Sequence, residues 1–451
     1  MANLDVFFNP KAIAVIGASR TPGKVGHAIL ENVKSTFRGK IYPINPNTNE
    51  ILGLECFSSL KEIKEPIDLA IIAIPADLVK GAVEDCIKRK IKGVIIISAG
   101  FSEIGEKEKE LALKKLSKNI RMIGPNCIGT LSPSKLDTMF IDRKKLKRPS
   151  EGSIGFITQS GAVGACLIDL ASYEGVGVSK FISIGNKIDV DEIELLEYLG
   201  KDVETRCIVL YLESTEKGAE LINISKKIVP NKPIIAFKSG KTEKGSKAVA
   251  SHTGALAGTE EVFSAAFKQS GIIEAETTED ILDYAKILST QPGLKSNKIA
   301  ILTNGGGFGV IATDYAIKSG FDVSNLSKDA ENALKKFLPK YASYNNPVDL
   351  TGDATTERYE KSINAILKDK EVSGLVIITL MQLPTVDDEL LDVLRDAKMH
   401  GKPIIICAMG GAYTQERTKK LEKLGLPVYS TPERAIRAMK ALLDYGKITK
   451  K

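Results

Sequence analysis

The sequence predicts an α/β fold in which parallel sheets are covered by helices on both faces. The first observation is a series of short Val/Ile-rich runs without the polar alternation of a half-exposed strand. Such continuous runs are typical of strands that are buried on both faces, as in parallel sheets. The second observation is that each run is closed within a few residues by Gly, Ser, Asn or Pro and followed by a helix-like segment. Alternation of strand and helix along the whole chain is typical of α/β domains.

The predicted strands are short and spread over the whole chain. They include Ala12–Ile16, Leu69–Ile74, Val94–Ile97, Ile154–Ile157, Ile208–Leu212, Ile234–Phe237, Ile299–Leu302, Leu375–Leu380 and Ile404–Ile406. A further strand is expected to end at the segment Ile41–Pro46.

Two polar joints divide the chain, one from Asp142 to Gly152 and the other from Gln291 to Lys298. They predict three domains, at residues 1–146, 147–292 and 293–451. A chain of 451 residues is consistent with this number, because a domain commonly has about 150 residues.

The second and third pieces contain related motifs. Residues 155–164 align with residues 300–309 as a strand, a Thr, an amide side chain, a turn of small residues and a helix. Farther on, residues 231–235 align with residues 401–405. A period of this length favours a duplicated domain, although any two doubly wound domains share some of these features.

Composition excludes several classes of protein. With 43% hydrophobic and 26% charged residues the chain is globular, and a net charge of +7 is too dilute to indicate a nucleic-acid partner. The six cysteines form no CxxC pair, so we expect no metal site and a reducing compartment. Neither a signal peptide nor a membrane span is recognisable, so a soluble, cytoplasmic protein is expected.

The first strand leads into a glycine-rich turn, GASRTPGKVG at residues 17–26, which opens a helix. Glycines and a helix N-terminus suit a phosphate group, and Arg20 and Lys24 add positive charge. The turn is not the GxGxxG fingerprint, and the second strand ends without a carboxylate for a ribose. A nucleotide other than NAD is therefore predicted, and a nicotinamide-dependent oxidoreductase is disfavoured.

The three histidines have different surroundings. His252 lies among small residues in SHTGALAG at residues 251–258, which indicates a loop that moves or fits closely against another surface. His400 is expected at a helix C-terminus in a structural role, and His27 begins the first helix. The turns at residues 158–162 and 303–307 each present a helix N-terminus, and the two together could hold a phosphate, including one carried on a histidine.

These motifs resemble the ADP-forming acyl-CoA synthetases, also called acetate–CoA ligases, of the succinyl-CoA synthetase superfamily. The resemblance covers essentially the whole chain in the order of an α subunit and rests on GASRTPGKVG, GPNC, TQSGAVG, SHTGALAG and LTNGGGFG together. It implies a Rossmann-like CoA-binding domain at residues 1–146. It also implies a ligase domain with the phosphohistidine loop at residues 147–292 and a second flavodoxin-like ligase domain at residues 293–451.

The resemblance implies that phosphate attacks acyl-CoA to give an acyl phosphate, that a histidine takes the phosphoryl group, and that ADP receives it to form ATP. His252 and Glu213 match the phosphorylated histidine and its supporting carboxylate. The residues expected to bind phosphate are Gln159, Ser160, Gly161, Ala162, Asn304, Gly305, Gly306 and Gly307. Those expected to bind CoA are Ser19, Arg20, Gly23, Lys24, Val25, Gly26, Asn45, Pro46, Ile74, Pro75, Ser98, Ala99, Gly100, Asn126 and Cys127.

The three pieces account for the chain without an ATP-grasp domain, which family members use for ADP and Mg²⁺. The resemblance therefore implies a separate ATP-grasp β subunit and an α₂β₂ heterotetramer, with CoA, phosphate and ADP/ATP as substrates. The alternative function is a non-catalytic module of the same fold that senses CoA or a nucleotide. The presence of both His252 and Glu213 disfavours that alternative.

Overall fold

The structure is a computed structural model, and it describes residues 4–242, 244–245 and 260–449. The chain forms two compact units, Met1–Tyr173 with Gly177–Glu274 and Glu174–Val176 with Ala275–Lys451. The first unit contains two large sheets and the second unit contains one. The division into three domains at residues 1–146, 147–292 and 293–451 stays a prediction.

The first sheet follows from the earliest predicted strands. Its strands are β1 (Ala12–Ile16), β2 (Lys40–Ile44), β5 (Leu69–Ile72), β6 (Gly93–Ile96) and β7 (Arg121–Ile123), with a hairpin of β3 (Glu50–Ile51) and β4 (Leu54–Glu55) beside them. The helices are α1 (Val25–Thr36), α2 (Ala76–Lys88) and α3 (Lys107–Leu116). The strand order is β2-β1-β5-β6-β7, and all pairs are parallel. The order reverses at β1 and β5, which is where doubly wound sheets bind ligands.

The second sheet of the first unit has a parallel core and an antiparallel edge. Its strands are β8 (Thr130–Ser132), β9 (Leu136–Asp137), β10 (Glu151–Thr158), β11 (Val178–Ser183), β12 (Cys207–Leu212), β13 (Ile234–Lys238) and β14 (Ile273–Glu274). The helices are α4 (Gly161–Glu174), α5 (Glu192–Lys201), α6 (Gly218–Ile228) and α7 (Glu260–Ser270). The order is β14-β13-β12-β10-β11-β8-β9, with β8 antiparallel to β11 and to β9.

The second unit contains the third sheet, with strands in the order β16-β15-β17-β18-β19, all parallel. These strands are β15 (Ile299–Thr303), β16 (Val348–Asp349), β17 (Gly374–Thr379), β18 (Ile404–Ala408) and β19 (Val428–Tyr429). The helices are α8 (Thr278–Thr290), α9 (Gly306–Lys318), α10 (Lys328–Lys335), α11 (Thr356–Lys368), α12 (Glu389–Ala397), α13 (Ala412–Lys423) and α14 (Pro432–Thr449).

The parallel core of the second sheet and the third sheet have the same strand order. In chain order both read second, first, third, fourth and fifth. The first sheet, β2-β1-β5-β6-β7, has this order too. The strand order therefore does not distinguish a duplication from a topology that doubly wound domains share, and the predicted duplication stays a prediction.

The predicted α/β fold class is confirmed, and a strand is present at each predicted Val/Ile-rich run. The runs are buried along their length, as expected for parallel strands with helices on both faces. Among the described residues, no helix is both long enough and apolar enough to cross a membrane. His400 lies at the end of a helical turn, and Gly401 follows with φ 66, as predicted for a helix C-terminus.

Glycines set the distance between the first turn and the first helix. A Cβ atom on Gly26 would lie 1.9 Å from the carbonyl oxygen of Gly17, so α1 packs directly on the turn that follows β1. By contrast, a Cβ atom on Gly81 in α2 would have no atom within 4 Å.

These two glycines predict opposite effects of the same substitution. Gly26→Ala should lower the free energy of unfolding by about 1–3 kcal/mol, because the added methyl group overpacks the turn. Gly81→Ala should raise it by about 0.5–1 kcal/mol, because alanine restricts the unfolded chain and favours the helix. Urea denaturation of both variants measures the difference. A Gly26→Ala variant as stable as the wild type would contradict the close packing of α1.

Candidate functional site

The first unit contains a cavity of about 630 Å³ at the carboxyl ends of both of its sheets. Its walls come from the segments that follow β5, β6, β7, β10, β11 and β12. The predicted site residues that line it are Val25, Ile74, Pro75, Ser98, Ala99, Asn126, Cys127, Gln159, Ser160, Gly161, Ala162 and Glu213. The structure therefore joins residues predicted for CoA, for phosphate and for catalysis in one cavity.

Other predicted site residues lie elsewhere. Outside the lining of this cavity are Ser19, Arg20, Gly23, Lys24, Gly26, Asn45, Pro46 and Gly100. Asn304, Gly305, Gly306 and Gly307 belong to the second unit. His252 lies outside the described residues.

The glycine-rich turn after β1 is fastened from two sides. The His27 ring nitrogen Nδ1 lies 2.9 Å from the carbonyl oxygen of Ser19, and the Asn45 amide donates to the carbonyl oxygen of Ala18 at 2.7 Å. Asn45 thus holds the turn, a role that the sequence prediction of a CoA contact did not include. Arg20 and Lys24 are exposed, and no side chain caps the N-terminus of α1.

The segment after β6 is tied to the neighbouring strand ends. The Ser98 hydroxyl donates to the carbonyl oxygen of Ile74 and accepts from the Ile74 N–H. The Asn126 N–H donates to the carbonyl oxygen of Ser98 at 2.9 Å. Burial raises the pKa of the neighbouring Cys127 thiol to about 12, so this thiol is not a nucleophile at neutral pH.

Asn186, in the turn after β11, connects this segment to the second sheet. Its amide nitrogen lies 2.7 Å from a carboxylate oxygen of Glu103 and 2.7 Å from one of Glu110. Its amide oxygen accepts from Asn126 at 3.2 Å. Burial alone would raise the pKa of Glu103, but hydrogen bonds from the Gly100 N–H, from Asn186 and from the Phe101 N–H outweigh it and lower the pKa.

The Gln159 side chain forms hydrogen bonds with the backbone just beyond the end of β12. Its amide oxygen accepts from the N–H groups of Glu213 and Ser214, and its amide nitrogen donates to the carbonyl oxygen of Ser214 at 2.8 Å. The Ser160 hydroxyl accepts from the Val163 N–H at 3.3 Å and thereby caps α4. The side chains of Gln159 and Ser160 are thus both used within the fold, and what the turn can offer a ligand is the backbone of α4.

Glu213 is a buried carboxylate at the carboxyl end of β12, with 6% of its surface exposed. Lys238 at the end of the adjacent β13 is also buried, and its positive charge interacts with Glu213. Burial lowers the pKa of Lys238, while Glu213 acts in the opposite direction. The Glu213 carboxylate, buried beside this cation, is suited to accept a hydrogen bond from a positively polarised N–H group.

The second unit repeats the amide arrangement. The Asn304 amide oxygen accepts from the Leu380 N–H at 2.9 Å, and the amide nitrogen lies 3.4 Å from the Leu380 carbonyl oxygen, just after β17. Its turn differs in one respect, because the carboxylate of Asp349 lies beside Gly306, at 2.6 Å from the position of a Cβ atom there. A carboxylate at this N-terminus disfavours a second anion, so the predicted phosphate role of Asn304–Gly307 stays a prediction.

Comparison with family models gives three matches along the chain. Residues 11–133 match a CoA binding domain, residues 151–288 match a succinyl-CoA ligase-like flavodoxin domain, and residues 299–447 match a ligase-CoA domain. A solved structure from Ca. Korarchaeum cryptofilum, a dinucleotide-forming acetyl-coenzyme A synthetase 1 in complex with phosphate and ADP, superposes with a TM-score of 0.92 at 38% identity. The match covers 100% of this chain and 98% of that one.

Curated relatives agree over the full length. The α subunit of the ADP-forming acetate–CoA ligase II of Pyrococcus furiosus is 40% identical over 98% of this chain and 98% of its own length. This chain belongs to the family of ADP-forming acetate–CoA ligases. A Methanocaldococcus jannaschii acetate–CoA ligase is 43% identical over 97% of this chain, which spans 62% of that protein.

Several residues that line the cavity were not predicted from the sequence, among them Phe140, Asn186 and Lys187. Asn186 and Lys187 follow β11, which was not among the predicted strands because Lys180 interrupts its apolar run. In the structure Lys180 is buried in ion pairs with Asp202 and Glu204, at 2.8 and 3.0 Å. The pattern that follows other strands, a small-residue turn, was present in Gly185-Asn186 and could have indicated a site.

The contacts of Asn186 predict a pH-dependent loss of stability in Asn186→Asp. At neutral pH this variant should be about 2–3 kcal/mol less stable, because two hydrogen bonds to carboxylates are lost and a third negative charge faces Glu103 and Glu110. The difference should shrink as the pH falls, since a protonated carboxyl group can donate again. The wild type itself loses the contribution of Glu103 as the pH falls through its lowered pKa.

Urea denaturation at pH 7.0 and at about pH 4.5 measures this effect. The control is Asn119→Asp, the same change at an exposed position, which should have little effect at either pH. Equal stability of Asn186→Asp and Asn119→Asp at pH 7.0 would contradict the assigned contacts.

Proposed function

We propose that this chain is the α subunit of an ADP-forming acyl-CoA synthetase. The overall reaction is acyl-CoA + ADP + phosphate ⇌ carboxylic acid + CoA + ATP. The observation that carries the proposal is the cavity of about 630 Å³ in the first unit, because the segment proposed for the CoA thiol and the turn proposed for phosphate both line it. Membership of the acetate–CoA ligase family supports the reaction class.

The first step joins phosphate to the acyl group. A phosphate oxygen attacks the thioester carbonyl carbon, a C–O bond forms, the C–S bond breaks, and CoA leaves as a thiolate that takes up a proton. The backbone N–H groups of Gly161 and Ala162 at the start of α4 would face the phosphate, where a helix N-terminus favours negative charge. No cysteine nucleophile is needed, which agrees with the raised pKa of Cys127.

The second step moves the phosphoryl group to His252. A ring nitrogen of neutral imidazole attacks the phosphorus, a P–N bond forms, and the P–O bond to the acyl group breaks to release the carboxylate. Glu213 would accept a hydrogen bond from the other ring nitrogen and stabilise the positive charge that develops on the ring. The burial of Glu213 beside Lys238 supports this role, because the carboxylate lies away from bulk water and next to a basic side chain.

In the third step a β-phosphate oxygen of ADP attacks the phosphohistidine, and the P–N bond breaks as ATP forms. ADP and Mg²⁺ would bind mainly in a β subunit with an ATP-grasp domain, in an α₂β₂ heterotetramer that acts in the cytoplasm. The name of the Pyrococcus furiosus relative, an α subunit, supports a β partner. A sensing module without catalysis is disfavoured, because it has no need of a buried carboxylate beside a phosphate turn.

The assignment of His252 predicts a phosphoenzyme. The chain incubated with acetyl-CoA and inorganic phosphate should gain one acid-labile phosphoryl group at His252, and peptide mass analysis locates it. His252→Ala should gain none and should make no ATP in the presence of the β subunit. ATP formation by His252→Ala at the wild-type rate would show that another group carries the phosphoryl group.

The two exposed cations of the first turn, Arg20 and Lys24, are expected to contribute to the affinity for CoA. Replacing Arg20 and Lys24 together by Gln should weaken CoA binding by about tenfold or more, because charge-assisted contacts to phosphates are lost. The control replaces Arg38 and Lys40, which are exposed near the amino end of β2 in the same sheet. Calorimetric titration with CoA should give wild-type affinity for the control. Equal affinity of the two double variants would remove Arg20 and Lys24 from the site.

A further inference from the structure

Lys187 lines the cavity but belongs to none of the groups assigned above. It follows β11, and its Nζ atom donates to the carbonyl oxygen of Ser214 at 2.8 Å. The same Nζ lies 3.2 and 3.1 Å from the two carboxylate oxygens of Glu192. The three N–H groups of Lys187 therefore bridge the start of α5 and the end of β12.

Glu192 is the buried ion-pair partner of Lys187 in this bridge. It is the first residue of α5, and only 1% of its surface is exposed. A helix N-terminus favours a carboxylate, and both carboxylate oxygens of Glu192 contact the ammonium group of Lys187. The ion pair is largely removed from water, which makes its geometry matter more than that of an exposed pair.

The Ser214 carbonyl oxygen has a second donor, the Gln159 amide nitrogen, also at 2.8 Å. The backbone that carries Glu213 is thus held by Gln159 from β10 and by Lys187 from β11. Glu213 directly precedes Ser214 at the end of β12, so these two hydrogen bonds hold the backbone next to the Glu213 side chain.

We propose that Lys187, supported by Glu192, is a positioning residue for Glu213 in phosphoryl transfer to the histidine. This inference rests on the proposed function, because it assigns Glu213 the task described there. Lys187 acts through the Ser214 carbonyl group and does not itself touch the reacting phosphorus.

The charge of Lys187 is directed at Glu192. Lys238 in β13 and Tyr211 in β12 interact electrostatically with Glu213. Loss of Lys187 should therefore misplace Glu213 and slow the reaction without moving its pH dependence. Loss of a residue that controls ionisation would shift the acid limb of the pH profile instead.

The test measures phosphorylation of the full chain by acetyl-CoA and inorganic phosphate in single-turnover experiments. In Lys187→Met the rate should fall by about 10²-fold, as for a misplaced catalytic group, while half-saturation by acetyl-CoA changes less than twofold. The pH profile should keep its shape, and Lys187→Arg should recover most of the rate, since arginine can donate to both partners. Glu192→Gln, which keeps the size of the side chain, should give an intermediate loss.

The matched control is Lys180→Met. Lys180 lies in β11, which Lys187 follows, and it also forms a buried ion pair, but its partners Asp202 and Glu204 do not line the cavity. Both Met variants should lose thermal stability, and only Lys187→Met should lose the rate. A rate for Lys187→Met equal to that of Lys180→Met, or a proportional loss of rate and acetyl-CoA half-saturation, would overturn the proposal.

The proposal and the function beneath it fail in different ways. If the wild type forms no phosphohistidine under these conditions, the proposed function is wrong whatever Lys187 does. If the wild type and Lys187→Met both form it at the same rate, the function stands and the positioning role is wrong.

Discussion

The hydrogen bonds of the Gln159 side chain are the constraint on which the site depends. One amide group satisfies two backbone N–H groups and one carbonyl oxygen beyond the end of β12, where the regular ladder has stopped. A buried backbone group without a hydrogen-bond partner destabilises the fold by more than one hydrogen bond stabilises it. The Gln159 side chain therefore fixes the backbone conformation of this segment. The buried Glu213 and the wall of the cavity follow from that conformation.

The repeated topology explains why an amide stands at this place in both units. The Asn304 side chain hydrogen-bonds the backbone beyond β17 as the Gln159 side chain does beyond β12, and each residue follows the first parallel strand of its sheet. The same strand order is thus accompanied by the same kind of hydrogen bonding. The two turns differ in their electrostatics, because only the turn of the second unit has a carboxylate, Asp349, beside it. The two turns occupy equivalent places in sheets of the same strand order, and the chemistry available at each turn is different.

The cavity gathers residues that are far apart in sequence because parallel strands end at the same edge of a sheet. Ser98 follows β6, Asn126 follows β7, and Glu213 follows β12. Asn186 fastens the first of these segments to the second sheet through Glu103 and Glu110. Ligand sites at the carboxyl edge are a general property of doubly wound sheets, and here two such edges share one cavity in the first unit.

The sequence by itself determined the α/β class, the strands at continuous Val/Ile runs, the family, and most of the residues that line the cavity. Those features depend on local patterns, because neighbouring residues are enough to predict a strand buried on both faces or a glycine-rich turn. Tertiary structure alone decided the remainder. The strand β11 could not be predicted because Lys180 interrupts its apolar run. The carboxylates that pair with Lys180, those of Asp202 and Glu204, come more than 20 residues later in the chain. Asn45 bonds to a backbone group 27 residues away, Lys187 to one 27 residues away and Gln159 to one 55 residues away. No local pattern contains that information, because these pairs form only when the sheets form.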